Sequence, residues 1–380
     1  MVRSEKVIIF NGPKEEFNKY ISEYYIQNGN NYSLTQLVNL SESERKTFLF
    51  KIEGYKPNRE VELPTNIDLL YISKNEYSGV TEAVINNFVN YIAKYNISKM
   101  VIQNPPIEII NDLKRQFDSK NIHIHNFKYK NIDIGLIKNF KKQAPSVILG
   151  QDKALMKVSQ ALLIQKKLNQ GNKPIVIMLY GPSGVGKTET GRLITKLLGE
   201  EMFYCQFSMF QSNAHYNYLY GDTVQLPSLA KDLLNRDSNI IFLDEFDKAN
   251  SFAYSALYQL FDTGEFEDKN FHVDLKNTVI ICTSNYENQD KILEHLGAPM
   301  FFRINCFIKY DDLSDEVKIK LIEKYYSKLV NQLSQQEQKI INESEIKDKY
   351  INLANKFSNA RQIENFLRND IARKLVETIE

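Results

Sequence analysis

The sequence lacks a surplus of charge. Its 48 Lys and Arg residues are balanced by 47 Asp and Glu residues, so the formal net charge is +1 at pH 7. Such a chain has no overall attraction for nucleic acid or for an anionic membrane, and any polyanion that it binds must be bound locally. A nucleic-acid partner is therefore not expected.

Cysteines and long apolar runs are scarce as well. The three cysteines, Cys205, Cys282 and Cys306, lack metal-ligand spacing, and their odd number argues against a disulfide framework. No apolar run approaches the roughly 20 residues needed to span a bilayer, and the start of the chain has no signal-peptide core. These absences predict a cytoplasmic protein with free thiols and no membrane partner.

The length and composition indicate a folded protein of more than one domain. Hydrophobic residues make up 43% and charged residues 25% of the 380 residues, which is typical of soluble globular proteins. An ordinary domain needs roughly 100 to 200 residues, so we expect two or three compact units.

The N-terminal part of the chain alternates between short apolar runs and helical patterns. Apolar runs start at Val7, Ile67, Met100 and Ile122, and helical patterns follow the first three of them. This alternation predicts a small α/β domain with a largely parallel sheet. The polar, basic stretch from Asn139 to Ser146 contains a proline and predicts a linker behind that domain.

Glycine is scarce too, yet four of the 15 glycines fall together between Gly181 and Gly191. Such a cluster marks a place where the backbone turns without a Cβ or approaches a ligand closely. The segment matches the pattern G-x-x-x-x-G-K-[ST] and lies between an apolar strand and a helical pattern, the context that this motif requires. Its residues are Gly181, Pro182, Ser183, Gly184, Val185, Gly186, Lys187 and Thr188.

This motif predicts a phosphate-binding loop. The backbone N–H groups of the loop and the positive end of the helix that it opens are suited to cradling phosphates. We expect Lys187 to reach the β and γ oxygens of ATP and Thr188 to offer its hydroxyl to Mg²⁺. Glu189 begins the helical pattern that follows and is included among the predicted cofactor-binding residues.

Polar side chains follow two later apolar runs. Asp244 and Glu245 come directly after the run from Asn239 to Leu243, and Asn285 ends the run that begins at Thr278. Open α/β sheets bind their ligands at the carboxyl ends of their strands. We therefore expect Asp244 to hold Mg²⁺ and Glu245 to orient or deprotonate the attacking water. The Asn285 amide is expected to hold the water or the γ-phosphate.

The order of these motifs resembles the AAA+ module of the Clp/HSP100 unfoldases, over about Val147 to Leu375. Residues Ile148 to Asp152 resemble the stretch that opens such modules and lines the adenine pocket, which makes Ile148 a predicted cofactor contact. The other segments that carry the resemblance are Gly181–Thr188, Asp244–Ala249, Val273–Asn285, Arg303 ahead of Asp312-Leu-Ser, and Ser358–Arg361.

The resemblance implies a role for each matching residue and a domain plan. Lys187 and Thr188 match the Walker A pair, Asp244 and Glu245 match Walker B, and Asn285 matches sensor 1. The implied fold class is α/β, with a P-loop AAA+ core built on a parallel sheet, a C-terminal helical lid and a separate small N-terminal α/β domain. The predicted domains are residues 1–140, of unknown role, 147–307, the core, and 314–380, the lid.

Two arginines extend the implied site. Arg361 matches the sensor 2 arginine, which such modules hold against the γ-phosphate of their own site. Arg303 aligns with the arginine finger that reaches into a neighbouring subunit, although a surface arginine is the alternative. A guanidinium suits both roles because it stays charged and offers paired donors to phosphate oxygens. The resemblance thus implies a homo-oligomer in the form of a hexameric ring, or else a mixed ring with a paralogous subunit, that uses ATP and Mg²⁺.

The sequence departs from the family where a substrate-gripping pore loop is expected. The stretch from Phe203 to Tyr220 is crowded with aromatic residues but lacks the Gly-Tyr-Val-Gly of the family. Tyr218 and Tyr220 are the nearest substitutes, and packing in a core or interface is an equally good interpretation for them. A second AAA+ module and a peptidase-docking tripeptide are also missing, so a protease partnership is not supported.

Other motifs favour structural roles. The segment Gln103-Asn104-Pro105-Pro106 resembles a methyltransferase loop, but a strand ended by prolines is the favoured interpretation. His123 and His125 fall on one face of a predicted strand without a visible third metal ligand. The main hypothesis is thus Mg-ATP hydrolysis that drives remodelling or unfolding of a partner, most simply a protein. A nucleotide-operated switch or scaffold and a DNA-loading ATPase are the alternatives, and the missing basic stripe disfavours the latter.

Overall fold

The computed structural model describes residues 6–52, 64–168, 173–211 and 215–379, with the backbone alone described for residues 47–52. The chain divides into two compact units that do not follow chain order. The first unit consists of Met1–Tyr129, Asn213–Asp237 and Glu265–Leu275. The second unit consists of Lys130–Ser212, Ser238–Gly264 and Lys276–Glu380.

The N-terminal part of the first unit is a parallel five-stranded sheet with helices. The strands are β1 (Lys6–Asn11), β2 (Asn31–Ser33), β3 (Asn66–Ile72), β4 (Asn96–Gln103) and β5 (Ile122–Asn126). The helices are α1 (Lys14–Ser22), α2 (Leu34–Ile52), α3 (Glu82–Asn86), α4 (Phe88–Ile92) and α5 (Ile107–Gln116). The strand order is β2-β3-β4-β1-β5, and every pair is parallel. The predicted α/β character of this region is confirmed.

Two details of this region differ from the sequence prediction. Residues 81–95 carry one continuous helical pattern, but the helix is interrupted at Asn87, whose backbone leaves the helical region at φ −124° and ψ 34°. Strand β2 and helix α2 were not predicted. Strand β2 has only three residues, which is too short for an apolar alternation to show in the sequence.

The second unit contains a second parallel sheet with the order β12-β6-β11-β8-β7. From residue 134 to residue 309 the chain forms, in order, α6 (Ile134–Val147), α7 (Asp152–Lys167), β6 (Ile175–Tyr180), α8 (Lys187–Leu198), β7 (Phe203–Gln206), α9 (Tyr216–Tyr220), α10 (Leu229–Leu234), β8 (Ile240–Asp244), α11 (Ser251–Ala256), α12 (Tyr258–Thr263), β9 (Glu265–Glu267), β10 (His272–Asp274), β11 (Val279–Ser284), α13 (Gln289–Leu296), α14 (Ala298–Phe301) and β12 (Cys306–Lys309). Of these elements, α9, α10, β9 and β10 belong to the first unit. Strands β6 and β11 are buried along their whole length, because helices cover both faces of such a sheet.

The stretch from Asn139 to Ser146 is helical, and the prediction of a linker there is wrong. It lies within α6, where the Asp133 side chain caps the first turn by accepting a hydrogen bond from the Leu136 N–H. Phe140 and Ala144 are buried in the core of the second unit. Pro145 lies in the last turn of α6, where its missing N–H removes the backbone hydrogen bond to the carbonyl of residue 141. The compact units separate at Tyr129, ahead of this helix.

The C-terminal part of the second unit is helical. It comprises α15 (Asp315–Val330), α16 (Gln335–Asn342), α17 (Ile346–Asn352) and α18 (Ala360–Val376). Ser314 caps α15, and Ser334 forms a capping box with Glu337 at the start of α16. The helical character predicted for this region is therefore confirmed. Across the part of the chain that the structure describes, none of the helices is long and apolar enough to cross a membrane.

Candidate functional site

The loop between β6 and α8 adopts a conformation that requires glycine. Gly181, Gly184 and Gly186 have φ values of +126°, +74° and +108°, which are left-handed. A Cβ on Gly181 would lie 2.2 Å from the Tyr310 carbonyl oxygen, and a Cβ on Gly186 would lie 2.6 Å from Ile148 Cγ2. The loop can therefore adopt this conformation against Tyr310 and Ile148 only with glycine at these positions.

Lys187 lies inside the loop that it closes. Its side chain is 7% exposed, and Nζ donates hydrogen bonds to the carbonyl oxygens of Gly181 and Pro182 and to Asn285 Oδ1, the last at 3.0 Å. Burial lowers the Lys187 pKa to about 8, against the opposing effect of the Asp247 and Asp244 carboxylates. The structure thus brings together the predicted phosphate-binding lysine and the predicted sensor asparagine.

Asp244, at the end of β8, is held by two hydroxyl groups. Thr283 Oγ1, on the neighbouring strand β11, donates to Asp244 Oδ1. Tyr204 Oη, on the other neighbouring strand β7, donates to Asp244 Oδ2 at 2.8 Å. Thr283 Oγ1 also accepts the Glu245 N–H at 2.9 Å. The adjacent strands therefore fix the orientation of this carboxylate.

Glu245 follows directly and has an unusual backbone. Its φ of +50° and ψ of 42° lie in the left-handed region, which is rare outside glycine. Gln206 Nε2 donates to Glu245 Oε2 at 3.0 Å. Hydrogen bonds from Ser208 and then Gln206 lower the pKa of the Glu245 carboxyl, and the Arg361 charge lowers it further. Glu245 is therefore a carboxylate at neutral pH, which is the form that accepts a proton.

A cavity of about 600 Å³ collects most of the predicted residues. Its lining includes the loop residues from Ser183 to Thr188 together with Ile148, Glu189, Asp244, Glu245, Asn285 and Arg361. Gly181 and Pro182 do not line the cavity, but their carbonyl groups contact Lys187. The lining also includes apolar and aromatic residues, namely Val147, Ile148, Leu149, Leu313, Leu321 and Tyr325. A cavity with both polar and apolar lining residues suits a ligand with a phosphate group and an aromatic group.

Sequence reasoning missed Thr283 and Tyr325, which line this cavity, and Tyr204, which contacts Asp244 from outside the lining. Thr283 could have been found, because it lies in β11 two residues before Asn285, which directly follows the strand, and residues two apart along a strand share a side of the sheet. Tyr204 belongs to no motif, and its hydroxyl reaches Asp244 only because β7 pairs with β8. Tyr325 lies on α15, and no sequence pattern connects this helix with the loop.

Arg303 does not line the cavity. Its Nε donates to Asp262 Oδ2 at 2.8 Å, and its guanidinium carbon lies 4.5 Å from the centre of the Tyr258 ring. The side chain is 27% exposed. Within one chain Arg303 is thus not part of the phosphate site, and its action in a neighbouring subunit stays a prediction.

The two tyrosines predicted as alternatives for a pore loop are in α9, in the first unit. Tyr218 Oη donates to Asp232 Oδ2 at 2.7 Å. The ring of Tyr220 stacks on Tyr216, with centroids 4.4 Å apart. Both side chains make contacts typical of packing.

The histidine pair of β5 also has a structural environment. The His125 ring lies 5.3 Å from the Phe10 ring and 4.5 Å from the Tyr20 ring, measured between centroids. Among the described residues, no group of three or more His, Cys, Asp or Glu side chains could hold a metal ion.

The AAA domain (Cdc48 subfamily) is the family whose model matches the chain, over residues 172–336. ClpL from Staphylococcus aureus (strain MRSA252), named as an ATP-binding subunit of the ATP-dependent Clp protease, is 34% identical over 40% of this chain and 24% of its own length. Chaperone protein ClpB from Malacoplasma penetrans is 27% identical over 65% of this chain and 38% of its own. Over the matched region the chain is similar to the AAA+ modules of Clp/HSP100 proteins. It spans only about a quarter to two fifths of the length of these relatives.

Solved structures show the same fold. A closed-state cryo-EM reconstruction of Hsp104 with ATPγS and casein matches 98% of this chain and 88% of its own, with a TM-score of 0.56 and 15% identity. The Hsp104–ADP complex from S. cerevisiae matches 64% of this chain and 40% of its own, with a TM-score of 0.52 and 20% identity. At these identities the likeness concerns the fold alone, and it agrees with the α/β core and helical lid of the AAA+ module.

Proposed function

We propose that this chain hydrolyses Mg-ATP and couples the turnover to remodelling or unfolding of a partner protein. One observation carries the proposal: a single cavity brings the glycine-rich loop together with Asp244, Glu245, Asn285 and Arg361. Phosphoryl transfer needs positioning and charge stabilisation more than covalent chemistry, and this set of side chains supplies both.

The proposed roles follow from the position of each group. The loop amides and Lys187 bind the phosphates, and the Lys187 ammonium exchanges its carbonyl partners for phosphate oxygens. Glu245 accepts a proton from the attacking water. Asn285, already within hydrogen-bond distance of Lys187 Nζ, orients the water or the γ-phosphate. Arg361 adds positive charge on the lid side of the same cavity.

Thr188 and Asp244 are the residues that would hold Mg²⁺. Hydroxyl and carboxylate oxygens are the hard ligands that this ion prefers. The described residues offer no cage of three or more His, Cys, Asp or Glu side chains, which agrees with an ion that takes its other ligands from phosphate and water. When bound, Mg²⁺ neutralises charge on the phosphates.

The partner and the assembly are inferred from the family. ClpB is named a chaperone protein and ClpL a subunit of a Clp protease, so a protein is the partner that the resemblance supports. Arg303 lies outside the cavity of its own chain. We propose that it completes the site of a neighbouring subunit, which requires a ring of subunits. The ring is either a homo-hexamer or a mixed ring with a paralogous subunit. We propose that the N-terminal domain selects or holds the partner.

The test compares two substitutions in the full chain. Glu245→Gln should preserve ATP binding and abolish phosphate release, because it keeps the shape of the side chain and removes the base. Lys187→Ala should lose ATP binding as well. Glu316→Gln, an exposed glutamate at the start of α15, is the matched control and should behave as the parent chain. Parental turnover in Glu245→Gln would show that this residue does not activate water.

A further inference from the structure

The first sheet has a crevice of the kind in which open α/β sheets bind ligands. The connection from β1 runs past β4 and β3 to β2, and the connection from β4 runs past β1 to β5, so the chain leaves these two neighbouring strands in opposite directions. Ligands of such folds bind at the carboxyl ends of neighbouring strands whose connections run in opposite directions. Gly12 and Asn104 lie at this point and exchange two hydrogen bonds, from Gly12 N to Asn104 Oδ1 at 2.9 Å and from Asn104 Nδ2 to the Gly12 carbonyl at 3.0 Å.

The end of helix α10 occupies this crevice. Asn104 Nδ2 also lies 3.4 Å from the Leu234 carbonyl oxygen and 3.4 Å from Asn235 Oδ1. The last carbonyl groups of a helix have no partner within the helix, so an amide donor here satisfies one of them. Asn104 is 3% exposed, so the contact is buried. Its φ of +44° lies in the left-handed region.

Three further contacts join the first sheet to two segments, 213–237 and 265–275. Gln225 Nε2 donates to the Val80 carbonyl at 3.0 Å, and Ser78 Oγ lies 3.5 Å from the Gln225 carbonyl oxygen. At the start of α5, the Ile107 N–H donates to the Asn270 carbonyl at 2.8 Å. The contacts therefore involve the turns after β3 and β4 and both segments that interrupt the second unit.

The two segments also bind each other. The Lys269 N–H donates to the Tyr220 carbonyl at 2.9 Å, and Asn270 Nδ2 donates to the Asp222 carbonyl at 3.1 Å. The guanidinium of Arg236 is buried, with its carbon 4.1 Å from the centre of the Tyr129 ring. Within segment 213–237, the hydrogen bond from Tyr218 to Asp232 joins α9 to α10.

We infer that the carboxyl edge of the first sheet is a docking surface whose occupant is the chain itself, namely segments 213–237 and 265–275. The crevice is thus not a small-molecule site. Segment 213–237 leads directly into β8, which ends at Asp244, and segment 265–275 leads into β11, which ends beside Asn285. The N-terminal domain and both segments therefore move together as one body during the ATP cycle. This part of the inference rests on the proposed function. Tyr218 and Tyr220 pack within that body and do not grip cargo.

The test is a disulfide between Ser78→Cys and Gln225→Cys in the full chain. The Ser78 hydroxyl lies near the Gln225 carbonyl, and the native cysteines Cys205, Cys282 and Cys306 all belong to the second unit. Peptide mapping identifies the bond, and each single variant is a control. The rate of disulfide formation is measured without nucleotide, with ADP and with a non-hydrolysable ATP analogue. The inference expects rates within about twofold of one another and ATP turnover that is equal, within about twofold, in the oxidised and reduced chains.

Three results would overturn the inference. One is that the disulfide forms in none of the nucleotide states. Another is a rate at least tenfold lower with the ATP analogue, which would show that segment 213–237 leaves the sheet. The third is a tenfold loss of turnover on oxidation that a reductant reverses. Absence of ATP turnover in both redox states would instead refute the proposed function, while the disulfide rates would still decide whether the segments stay docked.

Discussion

The two parallel sheets of this chain use the same edge in different ways. In the second unit, the carboxyl ends of β6, β8 and β11 border an open cavity of about 600 Å³. In the first unit, the carboxyl ends of β1 and β4 are covered by the end of α10. Sheet geometry alone therefore does not decide whether such an edge binds a ligand. What differs is the chain that follows: a glycine-rich loop leaves one edge open, and a buried asparagine amide binds a helix end at the other.

The largest effect that we predict concerns a residue outside the cavity. If Arg303 completes the site of a neighbouring copy, Arg303→Ala should lower turnover by roughly 10³ to 10⁵, the usual contribution of such an arginine. Mixing Arg303→Ala chains with Lys187→Ala chains should restore part of the activity, because one site then has both groups intact. The measurement compares the rate of phosphate release by the mixture with the rate of each variant alone. If the protein is a monomer and its ATP turnover per chain is the same at all protein concentrations, one chain contains the whole site.

A tenfold effect is expected from the buried charge of Lys187. Its pKa is lowered to about 8 by burial, so in the free protein the side chain is largely neutral at pH 9. Phosphate oxygens favour the ammonium form, which means that binding at pH 9 must take up a proton. The ATP dissociation constant should therefore rise about tenfold between pH 7 and pH 9, most of it above pH 8, which is roughly 1.4 kcal/mol. Calorimetry in buffers of different ionisation enthalpy measures the uptake, and binding at pH 9 without a proton would refute it.

A smaller effect is expected from Tyr204→Phe, which removes one of the two hydroxyl groups on Asp244. Tyr204 is 46% exposed, so solvent weakens the contribution of its hydrogen bond. We expect the Mg²⁺ concentration for half-maximal turnover to rise about threefold. Tyr216→Phe, at 47% exposure in the first unit, is the matched control and should leave this concentration unchanged. A lower Mg²⁺ requirement in Tyr204→Phe would mean that the hydroxyl competes with the ion.

Most of the predicted site residues of the second unit line one cavity, and the motifs that predict them are local. The residues from Gly181 to Thr188 are contiguous, and Asp244, Glu245 and Asn285 each end an apolar run. The contacts of Tyr204 with Asp244 depend on strand pairing, and those of Asn104 with Leu234 join residues 130 positions apart. No short pattern encodes such contacts. The linker prediction at Asn139–Ser146 is wrong because it relied on the proline and the charged residues. It overlooked Phe140 and Ala144, which lie four residues apart in α6 and are buried.

The central claim is that the complete phosphate site of one chain lies in the second unit. The most direct measurement is the ATP dissociation constant of a fragment from Lys130 to Glu380, compared with that of the full chain. This fragment keeps α6 and every residue of the cavity, but its segments 213–237 and 265–275 lose the sheet on which they dock. The account predicts a dissociation constant within about threefold of that of the full chain, together with a lower melting temperature. A folded fragment that binds ATP a hundredfold more weakly would contradict it.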